Sequence, residues 1–213
     1  MIITPIKTRV LNPPKDDLLA VIKKSIPGLK ECSVLAITSK VVSIWQGRCV
    51  TKNQYPDKDA LVRKEADKYL PRDLTPHQWI MHTIKNNLFI PTAGIDESNA
   101  NGYYILWPAH PAQIAKKLWQ WLRRTYKIKN IGVVITDSHT IPLRRGTLGI
   151  SLAHYGFTPL KDYRGERDIF GREFAIQVAD IADGLAAGAV LAMGEGKETT
   201  PLALITDIPF VVF

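Results

Sequence analysis

The chain has 213 residues, of which 46% are hydrophobic and 23% are charged. This length allows a domain to bury its own core, and the composition excludes a mainly disordered or fibrous chain. No segment approaches the roughly 18 uninterrupted apolar residues of a membrane-spanning helix, and the first residues lack the basic and apolar regions of a secretory signal. We therefore expect a cytoplasmic protein that does not bind membranes.

The 28 lysines and arginines outnumber the 20 acidic residues and give a formal net charge of +8. This charge attracts nucleotides, phosphorylated cofactors and nucleic acids alike, so it does not choose among them. The two cysteines, Cys32 and Cys49, form neither a C-x-x-C pair nor a set with nearby histidines. They predict no disulfide framework or zinc site, and we interpret both as small core residues.

The first 50 residues alternate between strand and helix patterns. Residues 2–10 alternate as in a strand, and the amphipathic stretch Asp16–Ile26 predicts a helix with acidic residues at its start and lysines at its end. The β-branched run Ser33–Thr38 predicts a strand, and Ser39 is expected to cap the helix that follows directly. Such a junction presents free backbone N–H groups.

The rest of the chain continues this mixture of elements. The next predicted elements are a helix over residues 58–70, two strands within Trp79–Thr92 about the Asn86-Asn87 turn, a polar loop over residues 93–102 and a strand Tyr103–Trp107. A helix then begins at Pro111, a strand Ile131–Thr136 ends at Asp137-Ser138, and a further strand runs up to His154. A strand and a long helix lie between Ala175 and Gly194, and closing strands cover residues 202–205 and 209–213. The order lacks a regular βαβ period, so we predict an α+β fold with irregular mixed sheets and packed helices. Residues 1–213 are expected to form a single domain, with residues 55–110 as a candidate smaller lobe.

The region Lys116–Lys129 has two interpretations. Six basic residues alternate there with Trp119, Trp121 and Tyr126, as in a helix that binds nucleic acid. However, its apolar stripe is typical of any helix that packs on a core. We favour the core helix and expect nucleic acid to be an unlikely partner.

Polar side chains follow several predicted elements, although the common phosphate-binding, dinucleotide, hydrolase and zincin motifs are absent. Asp96 lies in the polar loop, Asp137 follows a strand, and Glu195 follows the long helix; Ser138 and Asn99 add neutral oxygens. Such oxygen ligands suit Mg²⁺ or Mn²⁺ shared with substrate phosphates. A loop aspartate is more often a turn residue, so each position alone is a weak indication.

Two charged segments could bind an anionic substrate. Arg144 and Arg145 are suited to clamp phosphates, although an exposed pair of this kind is more often simply solvated. The segment Lys161–Arg172 is either a network of surface ion pairs or a lid over a substrate. The residues themselves therefore predict a metal-assisted site that handles phosphate.

Six blocks occur in a fixed order along the chain: Ile37–Ser43, Ala93–Asn99, Val134–Ser138, Arg144–Gly149, Lys161–Asp168 with Gly171-Arg172, and Ala179–Asp183 leading to Met193–Gly196. Together they resemble the coenzyme F420-0:L-glutamate ligase family, the CofE-like γ-glutamyl ligases. The resemblance covers nearly the whole chain. It implies a CofE-like α+β fold, an intertwined homodimer, and addition of L-glutamate to the carboxylate of a phosphorylated deazaflavin, coenzyme F420-0, with GTP and divalent metal ions.

The resemblance also implies roles for individual residues. The implied metal ligands are Asp96, Asp137, Ser138 and Glu195. The implied nucleotide contacts are Val10, Leu11, Ser39, Lys40, Asn99, Met193, Gly194, Glu195 and Gly196. For a reaction through an acyl phosphate, Arg144, Arg145 and Lys161 are the candidate clamps, and Asp162, Glu166 and Asp168 are the candidate bases.

The chain departs from the family pattern at two places. Ile44 and Gln46 stand where the family has a lysine and a glutamate, and Thr8-Arg9-Val10 replaces a Gly-Leu/Ile-Pro element. Fewer cations near phosphate weaken its binding unless another cation replaces them. These departures leave open GTP or ATP as nucleotide. No residue identifies a deazaflavin, so the acceptor is either F420-0 or a folate-type compound, which also carries γ-linked glutamates. The departures also motivate an alternative of another class, a non-catalytic nucleotide- or nucleic-acid-binding protein of the same fold.

Overall fold

The computed structural model describes all residues from 1 to 213 and contains five α-helices and twelve β-strands. The helices are α1 (Leu18–Ser25), α2 (Ser39–Gln46), α3 (Lys58–Glu65), α4 (Pro111–Tyr126) and α5 (Ile181–Met193). The strands are β1 (Ile2–Ile6), β2 (Ser33–Thr38), β3 (Cys49–Thr51), β4 (Lys68–Leu70), β5 (His82–Lys85), β6 (Leu88–Pro91), β7 (Tyr103–Ile105), β8 (Ile131–His139), β9 (Leu148–Tyr155), β10 (Leu160–Asp162), β11 (Val178–Asp180) and β12 (Leu202–Thr206). Helices and mixed sheets of this kind confirm the predicted α+β class.

The main sheet has five strands in the order β1-β12-β2-β8-β9. Its pair β2/β8 is parallel, whereas the other neighbours are antiparallel. In β2, Leu35 and Ile37 pack into a cluster with α1, α2 and α4, while Val34 and Ala36 pack with α5. Because both faces of the sheet are covered, its central strands are continuous apolar runs. The parallel pairing also places the residues that follow β2 and β8 at the same edge of the sheet.

A third apolar cluster lies outside the main sheet. Its buried members are Leu61, Val62, Met81, Ala93, Ile95, Tyr104 and Leu106. They come from α3, from residues that flank the three-stranded sheet β4-β5-β6, and from β7 with the residue after it. The single-domain assignment and the lobe over residues 55–110 stay predictions.

Three of the predicted elements differ in the structure. The helix predicted over residues 58–70 ends at Glu65, because Lys68–Leu70 pairs with β5 as an edge strand. Strand β8 continues to His139, beyond its predicted end at Asp137-Ser138, since β9 pairs with it that far. The closing residues 209–213 form no strand. In the first two cases pairing with another strand decides the outcome.

Two local predictions were also wrong. Ser39 is the first residue of α2 rather than its cap, and Thr38 in the cap position makes no side-chain hydrogen bond to the helix. Cys32 is exposed and is not a core residue, whereas Cys49 is partly buried and packs against the main core cluster.

Helix α4 matches the predicted core helix. Ile114, Leu118 and Leu122 on its apolar face are buried in the cluster shared with α1 and α2. The guanidinium of Arg123 lies 4.4 Å from the ring centroid of Trp119. One of the basic residues therefore contacts an aromatic residue of the same helix. No helix of the chain combines the length and apolar character that a membrane crossing requires.

Candidate active site

A cavity of about 570 Å³ opens at the sheet edge where β2 and β8 lead into polar residues. Its lining comes from six parts of the chain: residues 8–11, the start of α2 with the residue before it, the loop over residues 94–101, residues 105–107, residues 136–138 of β8, and the end of α5 with the residues that follow it. The lining combines apolar side chains such as Val41 and Ile44 with two lysines, an arginine and several carboxylates. It therefore offers both apolar surface and fixed charge to a bound molecule.

The first turn of α2 contributes backbone donors to this cavity. The helix starts immediately after β2, and Thr38 does not cap it with its side chain. Ser39 and Lys40, in the first turn, both line the cavity. Because an uncapped helix N-terminus carries unpaired N–H groups and a partial positive charge, this turn favours an anion such as phosphate.

Asp96 is both a turn residue and a member of the cavity. Its carboxylate accepts hydrogen bonds from the backbone N–H and the hydroxyl of Ser98, at 2.7 and 2.8 Å, as in an Asx turn. Lys40 Nζ lies 2.6 Å from its second oxygen. Burial acts to raise the pKa of Asp96, but the charge and hydrogen bond of Lys40 and the bonds from Ser98 outweigh it and lower the pKa. Asp96 is therefore an ionised carboxylate at neutral pH.

Asp137 is held mainly by neutral donors. It accepts hydrogen bonds from the indole N–H of Trp107 and from the backbone N–H of Ser138, the latter at 2.9 Å. The residue keeps some surface in the cavity, yet desolvation of its carboxylate, helped by the nearby charge of Asp96, raises the pKa of Asp137 to about 6. A positive group placed beside Asp96 and Asp137 would thus be strongly favoured.

Trp107 is a site residue that the sequence analysis missed. It lines the cavity, and its position depends on Gly94, whose φ is +69° and whose missing side chain leaves room for the indole ring. A Cβ on Gly94 would overlap the indole nitrogen. The sequence gave one indication of this role, since the N–H of a buried tryptophan needs a hydrogen-bond acceptor. It did not show which acceptor lies near Trp107.

The segment after α5 closes another side of the cavity. The hydroxyl of Ser138 donates to Glu195 Oε2 at 3.2 Å. The side-chain amide of Asn99 donates to the carbonyl of Gly196 at 3.0 Å, and Glu198 accepts from the N–H of Gly196 at 2.8 Å. The bonds from Ser138 and Asn99 hold the Gly-rich segment against residues that are distant in sequence, and the bond to Glu198 is local to the segment.

The nine residues expected to contact a nucleotide all line this one cavity: Val10, Leu11, Ser39, Lys40, Asn99, Met193, Gly194, Glu195 and Gly196. The four expected metal ligands line it as well: Asp96, Asp137, Ser138 and Glu195. No three histidine, cysteine, aspartate or glutamate side chains are grouped closely enough to hold a metal ion as they stand. Carboxylate and hydroxyl oxygens are nevertheless the donors that Mg²⁺ and Mn²⁺ prefer, so the donor chemistry fits such an ion.

The two departures from the family pattern have structural consequences. Ile44 is buried in the core cluster and also borders the cavity. Gln46 pairs with the backbone of Ala109, donating from Nε2 to its carbonyl at 3.0 Å and accepting from its N–H at 2.9 Å. A glutamate could only accept here, so the amide of Gln46 suits this contact better than a carboxylate.

The six residues expected to act in catalysis lie outside the cavity lining: Arg144, Arg145, Lys161, Asp162, Glu166 and Asp168. The two arginines are exposed between β8 and β9. The others make local contacts: Lys161 pairs with Glu166 at 2.7 Å, Asp162 pairs with Arg164 at 2.6 Å, and Asp168 accepts from backbone N–H groups of its own turn. Within a single chain, the segment Lys161–Arg172 therefore forms surface ion pairs, which is the first of the two interpretations given for it above.

Comparisons with known proteins agree with the earlier resemblance. The sequence profile of the F420-0:Gamma-glutamyl ligase family matches residues 5–207. Over 209 residues the chain is 32% identical to a protein of Methanopyrus kandleri named coenzyme F420:L-glutamate ligase, and the match spans 92% of this chain and 82% of the relative. A protein of the same name from Methanococcus maripaludis is 31% identical over 212 residues, or 92% and 83% of the two chains. One from Halobacterium salinarum is 38% identical over 119 residues, or 55% and 45% of the two chains.

These matches and the polar cavity together indicate an enzyme of the ligase class. More closely, the chain belongs to the F420-0:γ-glutamyl ligase family.

Proposed function

We propose that this protein adds L-glutamate to the carboxylate of coenzyme F420-0 in a reaction that uses GTP and Mg²⁺ or Mn²⁺. One observation carries the proposal: a single cavity gathers the nine candidate nucleotide contacts and the four candidate metal ligands. Family membership, and the names of the relatives from Methanopyrus kandleri and Methanococcus maripaludis, support this choice of acceptor.

The proposed chemistry follows from the poor reactivity of a carboxylate as an acyl donor. The γ-phosphoryl group of GTP passes to the acceptor carboxylate, which gives an acyl phosphate and GDP. The α-amine of glutamate then attacks the acyl carbon, loses a proton and displaces inorganic phosphate, so that an amide bond forms.

Residues of this chain have defined parts in the proposal. The first turn of α2 and Lys40 bind phosphate oxygens, because they supply N–H donors and positive charge. Asp96, Asp137, Ser138 and Glu195 would hold the divalent ion. When bound, that ion supplies positive charge to the polyphosphate. Trp107 and Ser138 orient the carboxylate of Asp137 through their N–H groups.

Three alternatives stand beside this proposal. ATP in place of GTP is one, because Ile44 removes a cation that the family pattern places near the nucleotide. A folate-type acceptor, which also carries γ-linked glutamates, is another, because no residue of the sequence identifies a deazaflavin. A non-catalytic nucleotide-binding protein of the same fold is favoured by the same departure at Ile44, since it would retain the cavity without turnover.

A ligation assay read by mass spectrometry separates these functions. Purified protein receives glutamate, Mg²⁺ or Mn²⁺, and GTP or ATP, with F420-0 and tetrahydrofolate as parallel acceptors. A product heavier by one or more glutamate residues on F420-0, dependent on GTP, supports the proposal. Glutamate added only to tetrahydrofolate supports the folate alternative, and nucleotide binding without any ligation supports the non-catalytic protein.

We also propose that the active form is a homodimer. Large apolar side chains in the segment between β10 and β11 are almost fully exposed: Ile169 at 91%, Phe170 at 88% and Ile176 at 88%. Exposed apolar clusters of this kind are typical of interaction surfaces. The same region carries Lys161, Asp162, Glu166 and Asp168, so their proposed catalytic roles would depend on contact with a second copy.

Changing Ile169 and Phe170 together to aspartate is expected to convert the dimer into a monomer. The two carboxylates would have to be desolvated in an apolar contact, whereas on a monomer they stay in water. Size-exclusion chromatography with light scattering measures the mass, and Leu74→Asp, another exposed apolar position at 64%, is the control that should leave the dimer intact. A wild-type protein that is monomeric at micromolar concentration would contradict the dimer.

A further inference from the structure

Arg9 lines the cavity and is held in place by a carboxylate. Its Nη1 and Nη2 each lie 2.6 Å from an oxygen of Asp16, and Nη1 also donates to the carbonyl of Val10 at 2.9 Å. Asp16 in turn accepts from the backbone N–H groups of Asn12 and Asp17, at 2.9 and 2.7 Å. The guanidinium of Arg9 therefore has a fixed position, although its side chain is 46% exposed and accessible to a bound molecule.

The bonds to Asp16 and Val10 leave one edge of the guanidinium free. A guanidinium has five N–H groups, and these bonds use both N–H groups of Nη1 and one of Nη2. The Nε–H and the second N–H of Nη2 have no acceptor within the protein. These two groups lie side by side on one edge of the planar guanidinium, so they can donate to two neighbouring acceptors of one ligand. Because Asp16 already balances the charge of Arg9, this edge does not need an anion as its partner.

The residues that follow Arg9 are apolar. Val10 and Leu11 line the cavity, as does Ile44 of α2, and Leu11 and Ile44 belong to one apolar cluster. The N–H groups and the lysine that suit phosphate come instead from the first turn of α2. A nucleotide carries a flat base at one end and phosphates at the other, and the base is the part that suits an apolar lining. Arg9 therefore belongs to the lining that suits the base.

We propose that Arg9 recognises the base of the nucleotide and makes the cavity selective for guanine over adenine. The inference rests on the proposed function, because that function brings a nucleotide to the cavity. Along one edge guanine presents two acceptors, N7 and O6, which fit an arginine fork, whereas adenine has an amino group in place of O6. The free Nε–H and Nη2–H of Arg9 pair with both acceptors of guanine, but with adenine one of them meets another donor.

Calorimetric titration of the wild-type chain with nucleoside diphosphates and Mg²⁺ tests the contact without any variant. We expect GDP to bind roughly 10- to 100-fold more tightly than ADP, as a bidentate arginine contact to guanine predicts. In 7-deaza-GDP a C–H group replaces N7, so we expect it to bind roughly tenfold more weakly than GDP. Equal Kd values for GDP and ADP, or for GDP and 7-deaza-GDP, would overturn the inference.

Arg9→Lys tests the residue itself, because lysine keeps a cation beside Asp16 but has no planar fork. We expect the Kd for GDP to rise roughly 10- to 100-fold and the Kd for ADP to stay at the wild-type value. Arg72→Lys is the matched control, since Arg72 also binds a carboxylate through two nitrogens, Nε and Nη2 to Asp59, but lies outside the cavity lining. We expect both Kd values of this control to equal those of the wild type. The melting temperatures of the two variants show that they are folded during the titrations.

A rise in Kd of the same size for GDP and ADP in Arg9→Lys would place Arg9 on the phosphates and overturn the inference. A rise confined to F420-0, titrated in parallel, would place Arg9 on the acceptor and overturn it as well. A wild-type protein that shows the expected preference for GDP but ligates no glutamate would refute the proposed function and support the role of Arg9. A wild-type protein that binds neither GDP nor ADP would overturn both proposals.

Discussion

Replacing Asp137 by asparagine is expected to lower kcat for glutamate addition by at least about 1,000-fold, because the change removes a negative ligand from the proposed metal site. Asparagine keeps the shape of the side chain and can still accept the hydrogen bond from Trp107, but its NH2 group then faces the N–H of Ser138, so that one bond is lost. The melting temperature of the variant therefore has to be measured beside kcat, to separate a loss of chemistry from unfolding. A variant that keeps more than about a tenth of wild-type kcat would contradict the role of Asp137 in charge stabilisation.

The stability of the same variant gives a second, independent outcome. Desolvation raises the pKa of Asp137 to about 6, above its ordinary value, so the ionised carboxylate destabilises the metal-free fold at neutral pH. Asp137→Asn should thus unfold at the same or a higher temperature than the wild type in the presence of EDTA. The advantage should grow as the pH rises from about 4 to 6, where the carboxyl group has lost its proton in the unfolded chain but keeps it in the folded protein, and should level off above that range.

Asp207→Asn is the control for both measurements. Asp207 is exposed and does not line the cavity. Its φ is +51°, a conformation that asparagine accepts as well as aspartate. We expect wild-type kcat and wild-type melting temperature from this variant. A similar loss of activity in Asp207→Asn would mean that the assay reports a general effect of lost negative charge.

Glu65→Gln is expected to reduce the free energy of unfolding by about 3 to 5 kcal/mol, which corresponds to a fall of roughly 6 to 20 °C in Tm for a chain of this size. Glu65 Oε2 lies 2.8 Å from Lys85 Nζ and 2.9 Å from Arg48 Nη2. The side chain of Lys85 is only 10% exposed, so without its partner it would remain a buried, unpaired cation. Thermal unfolding followed by circular dichroism measures the change.

Glu97→Gln is the matched control, because Glu97 also pairs with two lysines, Lys52 at 3.3 Å and Lys58 at 2.9 Å. Its side chain is 44% exposed, and ion pairs in water contribute little, so we expect a change below about 1 kcal/mol. Equal losses in Glu65→Gln and Glu97→Gln would contradict the argument from burial.

The effect of Glu65→Gln should also depend on pH. Burial acts to raise the pKa of Glu65, but Lys85 and Arg48 outweigh it, and the pKa lies below its ordinary value. The stabilisation by Glu65 is therefore fully present at neutral pH and is lost as the pH falls through the lowered pKa. Below that pKa the protonated carboxyl group of Glu65 is uncharged, as the amide of glutamine is. The two proteins should converge in Tm under acidic conditions.

The network around Glu65 also connects the third apolar cluster to the candidate site. Arg48 Nε donates to the carbonyl of Trp107 at 3.2 Å, and Lys85 Nζ lies 5.9 Å from the centre of the Trp107 ring. Trp107 in turn donates to Asp137. The sequence analysis did not single out Glu65, which thereby holds Arg48 and Lys85 beside the cavity residue Trp107.

The sequence by itself determined the elements whose signals are local. The apolar run Ser33–Thr38 forms β2 with the predicted bounds, and Asp17 caps α1 at the predicted acidic start. The turn at Asn86-Asn87 joins β5 and β6 because asparagine accepts positive φ. The order of the six sequence blocks was also enough to identify the family, since six blocks in one order are far more specific than any single block.

The tertiary structure alone decided which residues meet. Lys40 pairs with Asp96 across 56 positions of sequence, and Trp107 reaches Asp137 across 30. These contacts depend on the register of β2 against β8 and on the space left by Gly94, which local periodicity does not encode. Residues Lys68–Leu70 form a strand although their sequence pattern is helical, because backbone pairing between distant segments outweighs a weak local preference.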